Sequence, residues 1–398
     1  MFNYLLVINA GSSSIKFTLF RIESSGRLVE ELKGQVDGIG NFPQLKVIHS
    51  DGGLLVDKRI DTSVAPDHKN CLNEICSWLL QYIGKGKLQA IGHRVVHGGL
   101  DYITPVLINQ KILSDLENLI PLAPLHQPHN LLPIRTFEEI IPGVPQIVCF
   151  DTAFHRTQSE TAQSFGLPKR FFNEGIRRYG FHGISYEFIA SELPRLGLEI
   201  HGTRIIVAHL GSGASLCAIQ NGVSIATTMG FSPLDGLVMG TRCGSLDPGV
   251  MLYLMDRYKM NVRELEHLLY YESGLLGISG VSNDMRTLLA SESPLAAEAI
   301  KLFVYRIGRE IGSLAAALGG LDALIFTGGI GENSAEIRDL VCKQVSWLGL
   351  ELDRDANRAA AERLSTIQSK ISAWVVKTDE NLMIAKHTQN YLGMSHQL

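Results

Sequence analysis

A strand–turn–strand pattern that opens the chain, and recurs 200 positions later, restricts the fold more than any other feature. The first copy spans 5–16 and joins an apolar run, a Gly-Ser-Ser-Ser turn and a lysine; the second spans 207–219, and Val7 aligns with Val207. Backbone N–H groups and hydroxyls at such a turn are suited to bind phosphate oxygens. Two such turns, each opening one half of the chain, predict a duplicated fold that closes on a nucleotide.

Both copies are predicted to be β-hairpins rather than Walker phosphate loops. A Walker loop reads G-x-x-x-x-G-K-[ST] and leads into a helix, whereas β-branched, aromatic or apolar runs follow each turn here. Neither copy has the G-x-G-x-x-G dinucleotide pattern. One copy alone is equally consistent with an ordinary hairpin turn. The repeat, and a third glycine-rich segment at 328–333, favour nucleotide binding.

Length and composition favour a two-domain α/β enzyme. The chain has 398 residues, of which 45% are hydrophobic and 19% charged, and it contains 39 glycines. Its net charge of −4 gives no support for a nucleic-acid partner. The six cysteines form no C-x-x-C pair, the first residues do not resemble a signal peptide, and no long apolar stretch occurs. We therefore expect a cytoplasmic protein with reduced thiols and no membrane contact.

The order of apolar patterns predicts alternating strands and helices. In the first half we expect a helix at 72–83, a strand from residue 90, an irregular proline-rich segment at 121–133 and a buried strand at 147–152. In the second half we expect a strand at 204–208, a helix at 296–318, a strand at 323–327 and a glycine loop at 328–333. The main domain boundary is predicted near residue 150.

Arginines, histidines and single acids recur beside glycines at the predicted strand ends. The five clusters are 93–99, 122–126, 150–155, 178–183 and 239–244. Each cluster alone is more typical of a structural role, but together they supply the cations, the acid and the donors that phosphoryl transfer needs. No zinc-ligand spacing is present, and a Ser-His-Asp hydrolase would lack its G-x-S-x-G turn.

Ten segments, in order, resemble those of the acetate/propionate kinase family in the sugar kinase–Hsp70–actin superfamily. They are LLVINAGSSSIK, GHRVVHGG, LAPLHQPHN, FDTAFH, RRYGFHG, VAHLGSGASLCAI, MGFSPLDGLVMGTRCG, GLLGISGVSNDMR, FTGGIGEN and TDENLMIA. The resemblance implies an α/β, two-domain, duplicated ribonuclease H-like (actin-like ATPase) fold, with nucleotide and substrate in the interdomain cleft. It implies an N-terminal domain of 1–150, onto which a tail of 386–398 packs back, and a nucleotide-binding, dimerising C-terminal domain of 151–385.

The activity that this resemblance implies is reversible transfer of the ATP γ-phosphoryl group to acetate, giving acetyl phosphate and ADP. The implied cofactors are ATP/ADP and Mg²⁺, with Mn²⁺ as an alternative metal. The implied partners are a small carboxylate, the nucleotide and a second copy of the chain. A propionate kinase with the same chemistry is one alternative, and a catalytically silent nucleotide-binding protein is another.

The resemblance also assigns roles residue by residue. The implied catalytic residues are Arg94, Asp151, His182 and Arg242. The implied nucleotide contacts are Lys16, His209, Leu210, Gly211, Ser212, Gly213, Asp284, Met285, Arg286, Gly329, Ile330, Gly331, Glu332 and Asn333. The implied substrate contacts are Arg94, Val96, Leu125, His126, Phe181 and Pro233, and the implied metal ligands, acting partly through water, are Asn9 and Glu380. The intact catalytic set argues against the silent alternative.

Three departures from the family pattern lie beside these residues. Ser212 replaces the Asn of HLGNG, Cys243 and Ser245 interrupt RSGD, and Ile184 and Tyr186 interrupt GTSH. We expect these departures to tune the rate. A carboxylate substrate is already ionised near pH 7 and needs no general base. The expected role of the essential acid is therefore to organise the arginines and metal-bound water.

Overall fold

The computed structural model describes residues 2–60 and 67–393. The chain forms two compact units, Met1–Ala153 with Asp379–Leu398, and Phe154–Thr378. Within these ranges, short 3₁₀ helices occupy Ile120–Leu122, Ala153–Thr157 and Ser346–Leu348. No helix in the described ranges is both long enough and apolar enough to cross a membrane.

The first unit is built on one eight-stranded sheet. Its strands are β1 (Asn3–Ala10), β2 (Ser14–Ile22), β3 (Leu28–Asp37), β4 (Gln44–His49), β5 (Leu54–Arg59), β6 (Lys87–Val95), β7 (Val106–Leu107) and β8 (Gln146–Phe150). Their order across the sheet is β5-β4-β3-β2-β1-β6-β8-β7. The helices, numbered along the whole chain, are α1 (His68–Ile83), α2 (Gln110–Asn118), α3 (Gln127–Ile140) and α15 (Glu380–Tyr391).

The predicted first hairpin is present at the centre of this sheet. Strands β1 and β2 pair in antiparallel register, with Asn9 opposite Lys16, and the amide of Gly11 donates to the carbonyl of Ser14 at 2.8 Å. Strands β1, β6 and β8 run parallel, so their carboxyl ends lie at one edge of the sheet. This arrangement gathers the residues that follow three different strands.

The two faces of strand β6 are covered by different helices. Ile91 lies in the hydrophobic core that α1 and α3 form with β1 and β2. Its neighbour Gly92 points to the opposite face, where a Cβ would lie 2.5 Å from the hydroxyl oxygen of Thr388 in α15. Only glycine lets α15 approach this closely. The side-chain Nδ2 of Asn381 donates to the hydroxyl of Thr18 at 2.9 Å, which further holds the helix against β2.

The limits of the units differ from those expected. The boundary lies after Ala153 rather than after residue 150, and the returning segment begins at Asp379 rather than at residue 386. The reason for the second difference is that α15, which packs on β1 and β6, is a single helix from Glu380 onward. Positions 394–398 of the expected tail lie outside the described residues.

The second unit contains a five-stranded sheet in the order β11-β10-β9-β12-β13. Its strands are β9 (Arg204–Leu210), β10 (Ala214–Gln220), β11 (Val223–Thr227), β12 (Ala323–Thr327) and β13 (Ser372–Val375). Its helices are α4 (Glu160–Gln163), α5 (Lys169–Asn173), α6 (Gly183–Glu192), α7 (Pro248–Tyr258), α8 (Val262–Tyr271), α9 (Gly274–Ser279), α10 (Met285–Leu289), α11 (Pro294–Leu318), α12 (Gly328–Asn333), α13 (Ala335–Gln344) and α14 (Arg354–Arg358). The predicted second hairpin is β9–β10, with Leu210 opposite Ala214. The predicted long helix is α11, whose apolar face is buried.

Two predictions of local structure were wrong. The segment 121–133, expected to be irregular, contains the start of α3, with a proline at its first turn and Pro133 in its interior. The glycine loop expected at 328–333 is the short helix α12. Its first amide, that of Gly328, donates to Oε1 of Glu332 at 2.9 Å. This side-chain bond compensates for the low helix propensity of its glycines.

Candidate functional site

In the first unit, Arg94 contacts three other predicted site residues. Nε and Nη2 of Arg94 donate to the two carboxylate oxygens of Asp151 at 2.9 and 2.5 Å. Nη1 of Arg94 donates to Oδ1 of Asn9 at 3.2 Å, and Oε2 of Glu380 lies 3.8 Å from Nε. Asp151 directly follows β8 and is fully buried. The ends of β1, β6, β8 and the start of α15 thus meet around one guanidinium.

The carboxylates of this cluster favour the charged form of the Arg94 guanidinium. Burial disfavours the charged form of Arg94, but the carboxylates of Asp151 and Glu380 outweigh burial and raise the pKa of Arg94 above its ordinary value. A two-pronged arginine–carboxylate pair also fixes the orientation of both side chains. Arg94 therefore fixes the orientation of the Asp151 carboxylate. Lys16, opposite Asn9 in the register, is exposed beside the first turn.

Two buried amide side chains of α3, which sequence reasoning did not single out, hold the ends of β1 and β6. Oδ1 of Asn130 accepts from the amide of Val96 at 2.9 Å, and its Nδ2 donates to the carbonyl of Ala10 at 2.7 Å. Gln127 donates to the carbonyl of His97 at 3.0 Å and accepts from its amide at 3.2 Å. The signal that could have found them is the polar residues of LAPLHQPHN at helical spacing from one another.

The predicted substrate residues fall in both units. Val96 is buried directly after β6, and Leu125 and His126 are half-buried at the start of α3, all in the first unit. Phe181 and Pro233 are buried in the second unit. Val96, Phe181 and Pro233 are therefore shielded from water within their own units.

In the second unit, His182 lies immediately before α6 with left-handed backbone angles, φ 59° and ψ 22°. This conformation is uncommon for a residue with a Cβ and is typical of functional positions. Nδ1 of His182 lies 2.8 Å from the hydroxyl of Ser215, and its ring stacks on that of His209 with centroids 4.4 Å apart. Nδ1 of His209 in turn contacts the hydroxyl of Ser185 at 2.9 Å.

Arg242 and His182 converge on the second glycine turn. A Cβ at Gly213 would lie 2.7 Å from Nη2 of Arg242 and 3.3 Å from Nε2 of His182. Nη1 of Arg242 donates to the carbonyl of Pro233 at 2.6 Å. Burial lowers the pKa of Arg242, and nearby Tyr270 opposes this shift. Within the described part of the chain Arg242 forms no ion pair with a carboxylate, so its charge is available to an anionic ligand.

The second turn and α12 form one backbone surface. A Cβ at Gly328, whose φ is +77°, would lie 2.8 Å from the carbonyl oxygen of Leu210. The amide of Gly211 donates to the carbonyl of Gly213 at 3.1 Å, and Gly329 lies nearby. Glu332 accepts from the amides of Gly328 and Thr378 and thereby fixes the start of α12. Leu210 itself is buried at the end of β9.

In the third expected nucleotide segment, at the start of α10, Asp284 and Arg286 form an ion pair with each other. Nη2 of Arg286 donates to Oδ2 of Asp284 at 2.6 Å, and Oδ1 accepts from the amide of Arg286 at 2.8 Å. These hydrogen bonds lower the pKa of Asp284 to about 2. Met285, between them, is buried, whereas Arg286 is almost fully exposed and can contact a ligand.

One departure from the family pattern, Ser245, has a structural explanation. At Ser212 the backbone carbonyl accepts from the amide of Gly240 at 3.0 Å, which any residue at this position would allow, and the replacement of Asn by Ser there is not explained by the structure. The hydroxyl of Ser245 donates to Asp235 at 2.7 Å and accepts from the amide of Gly236 at 3.2 Å. A carboxylate at position 245 would be repelled by Asp235 in this arrangement.

Comparisons with known proteins show the family of this chain. The model of the acetokinase family matches residues 4–386. The chain belongs to the acetokinase family. An acetate kinase from Rhodopseudomonas palustris is 52% identical over 393 residues, which cover 97% of this chain and 98% of that protein.

Two solved structures share the fold over nearly the whole chain. A propionate kinase from Francisella tularensis is 36% identical with a TM-score of 0.90, covering 98% of this chain and 99% of that one. An acetate kinase from Porphyromonas gingivalis is 37% identical with a TM-score of 0.86, and the match covers 98% of this chain and 100% of that one. The predicted family, the two-sheet α/β fold and a phosphotransferase activity are thereby confirmed.

The family implies a nucleotide and a divalent metal ion. Within the described residues, no group of three or more His, Cys, Asp or Glu side chains is arranged to hold a metal. The predicted ligands Asn9 and Glu380 both lie beside Arg94, and they offer an amide oxygen and a carboxylate oxygen. Such a sparse set of oxygen donors fits Mg²⁺, which keeps several waters and uses few protein ligands.

Proposed function

We propose that the protein transfers the γ-phosphoryl group of ATP to acetate, reversibly, giving acetyl phosphate and ADP. The observation that carries this proposal is the convergence of the Arg242 guanidinium and Nε2 of His182 on the glycine turn at Gly213. Phosphoryl transfer needs donors for three equatorial oxygens in a site where water does not weaken them. A buried arginine, an imidazole and a glycine turn provide such donors. Relatives named acetate kinase support acetate as the acceptor.

Each group then has a distinct task. Arg242 stabilises the charge that develops on the transferring phosphoryl group, and His182 donates a hydrogen bond to one of its oxygens. Asp151 holds Arg94 so that the guanidinium faces the substrate carboxylate in one orientation. No side chain has to remove a proton, because the acceptor is an ionised carboxylate.

Nucleotide binding is assigned to both glycine turns and the segments beside them. Lys16 contacts phosphate at the first turn, and residues 209–213 do so at the second. Residues 329–333 in α12 and 284–286 in α10 hold the rest of the nucleotide. The exposed guanidinium of Arg286, fixed by Asp284, supports the last assignment.

The metal is assigned to Asn9 and Glu380, acting through water, with Mg²⁺ as the ion. When bound, Mg²⁺ offsets the charge of the β- and γ-phosphates. Substitution of Asn9 or Glu380 by alanine should raise the Mg²⁺ concentration needed for half-maximal rate. Unchanged titration curves in both variants would remove these residues from the metal site.

The methyl group of acetate is assigned to an apolar pocket that includes Val96. Val96 directly follows β6, two positions after Arg94, and its side chain is buried, so we assign the carboxylate to Arg94 and the methyl group to Val96. Leu125, His126, Phe181 and Pro233 are the other residues that we assign to substrate.

Propionate is the second candidate acceptor, because one structural relative is named a propionate kinase. The deciding experiment measures ADP formation and acyl phosphate in parallel with formate, acetate, propionate and butyrate. Acetate should give the highest kcat/KM, with propionate a poor but real substrate. A preference for propionate would make the second candidate the correct one, and no acyl phosphate with any acid would refute both.

We also propose that the protein forms a homodimer through α7. None of the side chains of α7 is buried, although Leu252, Tyr253 and Tyr258 are large and apolar or aromatic. A helix with such residues facing water is expected to be covered by a partner. Light scattering on Leu252→Glu should show a monomer, and Ile367→Glu, which alters an equally exposed apolar residue, should remain a dimer. A dimeric Leu252→Glu would contradict the assignment to α7.

A further inference from the structure

A chain of three polar side chains in the second unit leads away from His182. The hydroxyl of Ser215, in β10, lies 2.8 Å from Nδ1 of His182 and 2.5 Å from the phenolic oxygen of Tyr186, in α6. Ser215 and Tyr186 are both completely buried. Hydrogen atoms in such a chain cannot be arranged freely, because each hydroxyl has one proton to donate.

The direction of the hydrogen bonds follows from Tyr186. Burial raises the pKa of Tyr186 well above 10, so the phenol keeps its proton. Among the described residues, its hydrogen-bond partner is Ser215. A buried phenolic proton without an acceptor would cost the full desolvation penalty of that group. Tyr186 therefore donates to Ser215, and Ser215 must direct its own proton to Nδ1 of His182.

We propose that Tyr186, acting through Ser215, holds neutral His182 in the tautomer that carries its proton on Nε2. Nε2 is the ring atom that approaches the second turn, 3.3 Å from the Cβ position of Gly213. The tautomer thus presents an N–H donor to the turn where Arg242 also points. The other tautomer would present a lone pair there, which repels phosphate oxygens. Tyr186 is a positioning residue, and its catalytic meaning rests on the function proposed above.

This control of the His182 tautomer depends on the tyrosine present at position 186. The family pattern in this segment commonly has a histidine there, and this chain has Tyr186. An imidazole changes protonation near neutral pH and can reverse its hydrogen bonds, whereas a buried phenol does not. Tyr186 therefore fixes the direction of the hydrogen bonds from Tyr186 to Ser215 and from Ser215 to His182 over the whole physiological pH range.

The direct test is ¹⁵N NMR of the intact protein with labelled histidine, in which the two ring nitrogens report whether each carries a proton. Spectra are recorded at about pH 8.5, where an ordinary imidazole is neutral, and His182 is assigned by its absence in His182→Asn. The proposal expects a protonated Nε2 and an unprotonated Nδ1 at His182. A protonated Nδ1 in the unaltered protein would overturn it.

Tyr186→Phe keeps the ring and removes only the donor. Ser215 can then turn and accept from Nδ1, so the Nδ1–H signal of His182 should appear. His209, whose Nδ1 contacts Ser185 instead, is the internal control and should not change. Tyr179→Phe is the matched variant, because it removes another buried tyrosine hydroxyl, which donates to the carbonyl of Gly175. It should leave the His182 signals unchanged.

Kinetics complete the test. In Tyr186→Phe, kcat should fall about three- to tenfold, the effect of one net hydrogen bond, while KM for ATP and for acetate should change less than about twofold. Tyr179→Phe should keep its kcat. If Tyr186→Phe changes neither the tautomer nor kcat, the proposal is wrong. The NMR result does not depend on turnover, so a protein with the expected tautomer but no acetate kinase activity would refute the proposed function alone.

Discussion

The side-chain amide of Asn130 connects the ends of two strands that carry proposed site residues, and its removal is the most informative perturbation of the first unit. Asn130 is 4% exposed, accepts from the amide of Val96 and donates to the carbonyl of Ala10. Ala10 and Val96 are themselves buried, so water cannot readily replace the lost partner. Asn9 precedes one of these residues, and Arg94 lies two positions before the other.

The magnitude follows from these two hydrogen bonds. In Asn130→Ala both bonds are lost, and the amide of Val96 and the carbonyl of Ala10 remain buried without a partner. Each unsatisfied buried group costs about 1–3 kcal/mol, so the free energy of opening the β1–β6 region should fall by about 2–6 kcal/mol. The strand ends then separate, and kcat/KM for acetate should decrease at least about tenfold because Arg94 no longer has a fixed position.

Hydrogen exchange measured by mass spectrometry gives the opening free energy of peptides from β1 and β6, independently of the second unit. Thr136→Val is the matched control on the same helix, because the Thr136 hydroxyl donates only to the carbonyl of Leu132 within α3. It should cost no more than about 1.5 kcal/mol. A loss below about 1 kcal/mol in Asn130→Ala, or equal losses in both variants, would refute the assigned role of Asn130.

Three further outcomes are expected. Arg242→Ala should lower kcat roughly a thousandfold with much less effect on ATP affinity; a variant that keeps a tenth of the turnover would show that Arg242 is not the charge stabiliser. Val96→Ala should raise the propionate-to-acetate ratio of kcat/KM about tenfold, whereas Val95→Ala, which alters a neighbouring valine packed in the hydrophobic core of the first unit, should leave that ratio unchanged. Burial lowers the pKa of His93 and His155 to about 4, so the unfolded chain binds more protons below about pH 6.5, and stability should fall as pH drops from about 6.5 to 4. A urea midpoint that stays constant over this range would contradict that reasoning.

The two hairpins could be predicted because the residues that determine them are adjacent in the sequence. Each consists of two apolar runs and a short Gly/Ser turn, and the register Asn9–Lys16 follows once the turn is closed. The start of α3 could not be predicted in the same way. Its prolines locally predict the absence of a helix, yet a proline in the first turn has no intrahelical N–H bond to lose. In addition, the buried residues Leu131, Ile134 and Phe137 hold the helix against the sheet.

Parts of the site depend on partners that are distant in sequence. Asn130 bonds to a carbonyl 120 positions away, and Ser215 bonds to a histidine 33 positions away. The residues next to Ser215 do not mark it as a positioning residue, because serine is common in any turn-rich segment, and the local signal for Asn130 is limited to its helical spacing from Gln127. Arg94 could be singled out because a charged residue within an apolar strand is unusual, and such a residue usually has a specific partner when buried.

The two arginines of the candidate site differ in how far their positive charge is compensated, and this difference supports the roles that we propose for them. Arg94 is joined to Asp151 by two hydrogen bonds and lies within 3.8 Å of Glu380, so its positive charge is already compensated. Arg242 is buried, and its guanidinium donates to a backbone carbonyl rather than to a carboxylate. A desolvated and uncompensated cation interacts most strongly with an anion that gains charge nearby. Arg242 is thus the arginine suited to stabilise the transferring phosphoryl group, and Arg94 is suited to orient the acceptor without contributing a large net charge.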